Sequence, residues 1–172
     1  MPRMIEIRLF FGRPVIRDRA KLLSALREMK ERTGCVVQAL DADRIISERH
    51  ISFAAMKAMN AFSEERNIAK DEGMEIMRYA SGERQIERAL TIGIADSTRR
   101  LALILVSSGE KSRWPAAAEL SAVIEPDGLG CLFRREDIKE VFHISPEELE
   151  VVGEERMEDL VIERVALVDT YR

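Results

Sequence analysis

The sequence predicts an α/β protein of the α+β type: a single domain over residues 1–172, with one mixed β-sheet covered by helices and a helical C-terminal end. Three observations predict it. Leu101 to Val106 is an almost wholly apolar run of strand length, as a central strand buried on both faces requires. Leu22, Leu23, Leu26 and Met29 fall at helical spacing, and similar stretches recur between the apolar runs. Helical and strand-like segments alternate irregularly, with one helix between some strands and two between others, and from that alternation we read a mixed sheet.

In chain order, Met4 to Phe11 reads as a first strand closed by Gly12 and Pro14. Asp18 caps a helix to Arg32, and Thr33-Gly34 ends it. Cys35 to Leu40 is a short apolar strand, and Asp41 to Ile46 a single helical turn. Ser52 starts a longer helix with Ala55, Met59 and Phe62 on one side; it frays near Asn67 and resumes before Gly73. Met74, Ile76 and Arg78 alternate with Glu75, Met77 and Tyr79, which is strand spacing. At Ser81-Gly82 the chain turns into a helix bearing Ile86, Ala89 and Leu90. Ser112 to Pro115 opens another helix, and Glu125-Pro-Asp-Gly is a turn. Leu129 to Phe133 is ambiguous, and Glu136 to Phe142 is a short helix. Ser145-Pro146-Glu147-Glu148 is a capping box with proline in the first helical position, and a last helix spans Glu154 to Thr170.

Composition narrows the function classes. A hydrophobic content of 46% with 34% charged residues marks a globular protein with a real core. No apolar run approaches the ~18 residues of a membrane span. Charge interrupts any apolar core in Met-Pro-Arg-Met-Ile-Glu at the start, so no signal peptide and a cytoplasmic location are expected. Cys35 and Cys131 stand far apart with no neighbouring histidine, which indicates neither a disulfide nor a metal site. The net charge of −4 is uneven: from Glu136 onward there are 12 acidic and 4 basic residues, a net −8, and the remainder is +4. A mildly basic body with an acidic end suits nucleic acid on one side only, although solvated surface explains it as well.

Catalytic signatures are missing. No glycine-rich phosphate loop follows a strand. His50 reads as a surface or capping residue and His143 as a cation at a helix end, and neither shows ligand spacing. Ser107-Ser108-Gly109 follows the apolar strand but lacks the nucleophile-elbow pattern. No active site, metal or cofactor is expected.

Binding signals remain. If Ser81 caps a helix and Gly82 opens close approach, the first turn presents free N–H groups to an anion. Arg84 sits in that turn, with Arg88 four residues on. Lys57, Arg66, Asn67, Lys70, Arg84, Gln85 and Arg88 gather cations and base-reading amides, with Ile68 and Ile86 for apolar contact to an unstacked base. Equally, these residues could serve as caps and pair with Glu64, Glu65, Asp71 and Glu87. On the closing helix, Met157, Leu160, Val161, Ile162, Val165, Ala166, Leu167 and Val168 wrap beyond the ~100° stripe of one core face. Such a helix is buried on most sides or faces a partner.

Arg66-Asn-Ile-Ala-Lys70, followed by Tyr79-Ala-Ser-Gly-Glu-Arg-Gln-Ile86, resembles the signature of the smallest subunit of the archaeal KEOPS complex. That family includes the eukaryotic PRPK-binding protein. Val161-Ile-Glu-Arg-Val-Ala-Leu-Val-Asp169 resembles its closing helix, and the likeness runs from the first strand to Asp169. The resemblance implies a non-catalytic accessory subunit supporting threonylcarbamoyladenosine modification of tRNA. It implies a clamp for the tRNA 3′ CCA end at Lys57, Asn67, Ser81, Gly82, Arg84, Gln85 and Ile86, to which the basic cluster adds Lys70 and Arg88. It also implies docking on the kinase-like ATPase subunit, for which Leu160, Val161, Val165, Leu167 and Val168 are the candidates. The alternatives are a protein-only scaffold or allosteric activator without RNA contact, and an enzyme of unknown type.

Overall fold

The computed structural model describes residues 4–107, 109 and 111–170; Ser108, weighed above as a nucleophile, lies outside them. The elements are β1 (Glu6–Pro14), α1 (Arg19–Thr33), β2 (Val36–Asp41), α2 (Glu48–Ser63), α3 (Glu72–Ser81), α4 (Ile86–Ala89), β3 (Leu101–Ser107), α5 (Ala117–Ser121), β4 (Ile124–Pro126), α6 (Arg135–Val141), α7 (Pro146–Val152) and α8 (Met157–Leu167). The α+β class is as expected. The chain divides into two compact units, one holding residues up to Ala42 together with Ile94–Gly130, the other Asp43–Gly93 and the chain from Cys131 onward.

Unit 1 contains the sheet, ordered β2-β3-β1-β4. Every neighbouring pair is antiparallel, where a mixed sheet was expected. The reason is topological. β1 and β2, joined by α1, do run parallel, but β3 inserts between them and opposes both, as in a split βαβ unit. β3 is buried from Leu101 to Val106, as its apolar sequence required. Leu101, Leu103 and Leu105 share one face by the two-residue period, and Leu22, Leu26 and Met29 of α1 pack there with Val123 and Ile124. Each such leucine contributes ~1.5–3 kcal/mol. Asp18 caps α1 by accepting from Lys21 N–H at 2.9 Å, and Gly34 ends it with φ 73°. A short β4 occupies the place expected to hold a turn at Glu125.

Unit 2 is helical. α2 packs on α3, and α8 on both. Ser47, not Ser52, caps α2 by accepting from His50 N–H at 3.1 Å. The expected strand over Met74–Tyr79 is instead the middle of α3. Asp71 caps it through Met74 N–H, Glu72 and Glu75 stand in its first turn, and Gly82 closes it at φ 71°. Alternation misled because α3 is buried nearly all round, from Gly73 to Ser81 except Met74, and shows no single apolar stripe. The capping box at Ser145 forms as expected, with Glu148 N–H donating to Ser145 Oγ at 3.1 Å. His50 is not at the surface: it is fully buried, edge-on to Phe142 with ring centroids 5.3 Å apart, and its ring bonds backbone groups just before α2 and in the last turn of α3.

Candidate functional site

The site of unit 2 is organised by two side chains that the sequence reading passed over, Glu75 and Arg78. Set i,i+3 on α3, they form an ion pair that is almost wholly buried. The other oxygen of Glu75 accepts from Ile68 N–H at 2.7 Å and from Ala69 N–H at 3.3 Å. Arg78 donates to the carbonyl oxygen of Arg84 at 2.9 Å. One buried pair thus fixes the loop before α3 and the turn after it. A buried charge pair persists where its remaining donors and acceptors are also satisfied, as they are here.

A second node forms on Asp169, in the turn after α8. It accepts from Lys57 of α2 and from the Tyr79 hydroxyl, with Arg66 at 3.5 Å. Burial alone would raise the Asp169 carboxyl, but the hydrogen bonds from Lys57 and Tyr79 and the nearby cations hold it below the usual range. Burial and the bond to Asp169 push the Tyr79 phenol up to about 12.

Between the two nodes lies a cleft of about 260 Å³ lined by Arg66, Ile68, Arg78, Tyr79, Arg84, Val168 and Asp169. Ile68 is 49% exposed at this cleft. Arg84 is exposed and, among the described residues, its side chain makes no hydrogen bond or ion pair. With Glu75 balancing Arg78 and Asp169 facing Arg66, the Arg84 charge is left over. The cleft therefore offers a cation beside an apolar edge, the combination that suits a phosphate next to an unstacked base.

The expected binding residues divide. Lys57 is engaged by Asp169, and Asn67 folds its own loop by donating to Ala69 O at 2.8 Å. Ser81 is buried, donating to Arg78 O at 2.8 Å and accepting from Glu83 N–H at 3.1 Å. Gly82 is a helix end rather than a helix start, and an added Cβ would meet Arg164 Cβ at 3.3 Å. The anion-binding helix start expected there does not form, because α4 begins only at Ile86 and spans four residues. Lys70 and Gln85 are exposed and Ile86 half-buried. Arg88 faces a separate hollow with Arg44, Glu83 and His143. His143 there lies 3.3 Å from Glu83 in a left-handed backbone after α6.

The closing helix is mostly core. Leu160, Val161, Val165 and Val168 are 0–6% exposed, while Leu167 is half-buried. Its broad apolar girth is thus met largely within unit 2, as Arg164 binds Glu148 at 2.7 Å and Phe142 O at 2.6 Å beside it.

The sequence held a signal for the missed nodes: Glu75 and Arg78 at i,i+3 between an Asp cap and a Gly stop, and an acid at the end of the closing motif. Among the described residues no group of three or more His, Cys, Asp or Glu could hold a metal ion, and no helix is long and apolar enough to cross a membrane. Residues 15–169 match the family described as kinase binding protein CGI-121. No curated protein matches the chain.

Proposed function

The chain belongs to the kinase binding protein CGI-121 family, and from that premise we propose that it is a non-catalytic accessory subunit of a KEOPS-type tRNA-modification complex. In this role it docks on the kinase-like ATPase subunit and holds the 3′ CCA end of tRNA, while ATP hydrolysis and carbamoyl transfer fall to other subunits. The observation that carries the RNA part is the unbalanced Arg84 charge beside exposed Ile68 in one cleft. Arg84 supplies a phosphate contact and Ile68 an apolar seat for a terminal base. Lys70, Gln85, Ile86 and Arg88 extend the contact along the strand; Lys57, Asn67, Ser81 and Gly82 shape the site from behind.

Arg84→Glu is expected to weaken tRNA binding at least about tenfold with little change in melting temperature, since the side chain is exposed. Trimming CCA from the tRNA should cost as much, and the two losses should not add. Equal affinity of the wild-type chain for intact and trimmed tRNA, titrated at fixed salt, would overturn the RNA reading. The protein-only scaffold would then stand, a reading favoured by the engagement of Lys57, Asn67 and Ser81 within the chain itself.

In this reading, docking on the kinase-like subunit uses the half-buried apolar residues of α8, Ile162, Ala166 and Leu167. The buried Leu160, Val161, Val165 and Val168 set its position. Leu167→Glu is expected to leave the chain folded and to weaken co-purification with the kinase-like subunit at least about tenfold. Unchanged co-purification would place docking elsewhere.

A further inference from the structure

Unit 1 has a cleft of its own, about 360 Å³, where β1 leaves the sheet, α1 begins and the chain from Ile94 leads into β3. Its walls are fixed by backbone and side-chain bonds. Gly12, Arg13 and Pro14 pair with β4, and Val15 N–H donates to Val123 O at 3.0 Å. On the facing wall Thr98 Oγ1 accepts from Ala95 N–H at 2.8 Å and donates to Asp41 at 3.2 Å.

Four arginines line this cleft, Arg13, Arg17, Arg19 and Arg99, and all four are exposed. One carboxylate, Asp96, lines it with them. Of the acids close by, Asp41 is bonded to Thr98, and Glu125 and Asp18 leave Arg13, Arg17 and Arg19 open to a ligand. Arg13 reaches Glu125 at 3.5 Å with both side chains 63% exposed, a weak surface pair. Asp18 keeps its charge but is turned toward the start of α1, where it accepts from Lys21 N–H. Among the described residues the side chains of Arg17 and Arg19 make no hydrogen bond or ion pair. Arg19 moreover sits in the first turn of α1, where a cation opposes the helix dipole.

The base of the cleft is different in kind. Ile16, Leu22, Ile94 and Leu101 line it, with Ile16 half-buried and Ile94 9% exposed. Leu22 and Leu101 are core, so a bare anion would use the arginines and leave Ile16 and the edge of Ile94 uncovered, while an apolar ligand would leave the cations unbalanced. A ligand that uses both carries a phosphate next to a flat, weakly polar ring. The volume lies at the lower end of ligand clefts, ~300–1,000 Å³, enough for one nucleotide and not for several.

We propose that this cleft binds a single phosphorylated nucleotide, its phosphate among Arg13, Arg17 and Arg19 and its base against Ile16 and Ile94. The site is separate from the Arg84 cleft and does not depend on the tRNA reading.

The probe is adenosine monophosphate, titrated into the full chain with isoleucine methyl groups observed by NMR. The Ile16 and Ile94 methyl signals are expected to shift with saturation, while adenosine and inorganic phosphate each bind at least about tenfold more weakly. Arg17→Glu combined with Arg19→Glu should reduce affinity for the nucleotide at least about tenfold, and Arg84→Glu should leave it unchanged. Both substituted side chains are exposed, so the melting temperature should hold within about 2 °C. Salt at about 1 M, where screening reaches ~3 Å, should weaken binding by the wild-type chain without any substitution. The proposal is overturned if neither methyl signal shifts, if phosphate alone binds as tightly as the nucleotide, or if charge reversal or salt leaves affinity unchanged.

Discussion

Glu75→Ala is expected to destabilise unit 2 by ~3–5 kcal/mol, the usual consequence of leaving a buried charge without its partner. Arg78 would remain 2% exposed with no carboxylate beside it, and Ile68 and Ala69 would lose the acceptor of their N–H groups. Denaturant unfolding of the full chain measures the loss, and amide exchange at Ile68 and Ala69 should quicken at the same time. Glu75→Gln keeps an acceptor for the loop while removing the charge, so it should fall between alanine and wild type. A loss below ~1 kcal/mol for alanine, the range of an exposed pair, would mean that the pair is hydrated and does not fix the loops.

Acid is expected to remove a comparable share of stability through His50. Burial pulls its pKa down to about 4 from 6.5; the bond to Ala80 O and the charge of Glu158 oppose this without overcoming it. In the neutral ring Nε2–H donates to Ala80 O at 2.7 Å and Nδ1 accepts from Ile46 N–H at 3.3 Å. Between pH 4 and 6.5 the unfolded chain binds a proton that the folded chain refuses. Stability therefore rises with pH across that window: the contribution is complete above 6.5 and lost as the pH falls to about 4. The size is on the order of 3 kcal/mol. His50→Gln cannot titrate, so the stability difference between wild type and variant should shrink as the pH falls. A difference that stays constant from pH 7 to 4 would show that His50 takes up its proton without opening the fold.

What could be read from the sequence follows from which signals were local. Asp18, Gly34 and Ser145 cap their helices through bonds that span three or four residues, and all three were legible. The apolar run of β3 was legible because six apolar residues in succession have the length and composition of a strand buried on both faces. α3 was not, because its burial includes an acid and a base, and only tertiary packing makes Glu75 and Arg78 core residues. Of the expected binding cluster, Lys70, Arg84 and Arg88 are exposed, but the division of the cluster between two hollows and the partners of its other members could not be read. Asp169 takes Lys57 across 112 positions of sequence, and no periodicity reports such a pairing. The same limit hid the division of α8, whose apolar residues look alike in sequence and differ only in what covers them.

The interleaving of the two units also bears on how the protein is made. Unit 1 is interrupted by Asp43–Gly93, and unit 2 by Ile94–Gly130, so no single truncation releases either whole. During synthesis the sheet can close as soon as β4 has left the ribosome. α2 and α3 emerge earlier but must wait for α8, with the hydroxyl of Tyr79 and the ammonium of Lys57 still lacking Asp169. The nascent chain thus carries an unfinished helical surface while the stretch from Cys131 to Asp169 is made, a few seconds at ~5–20 residues per second. A chaperone, or the kinase partner itself, would meet that surface before the protein's own closing helix arrives.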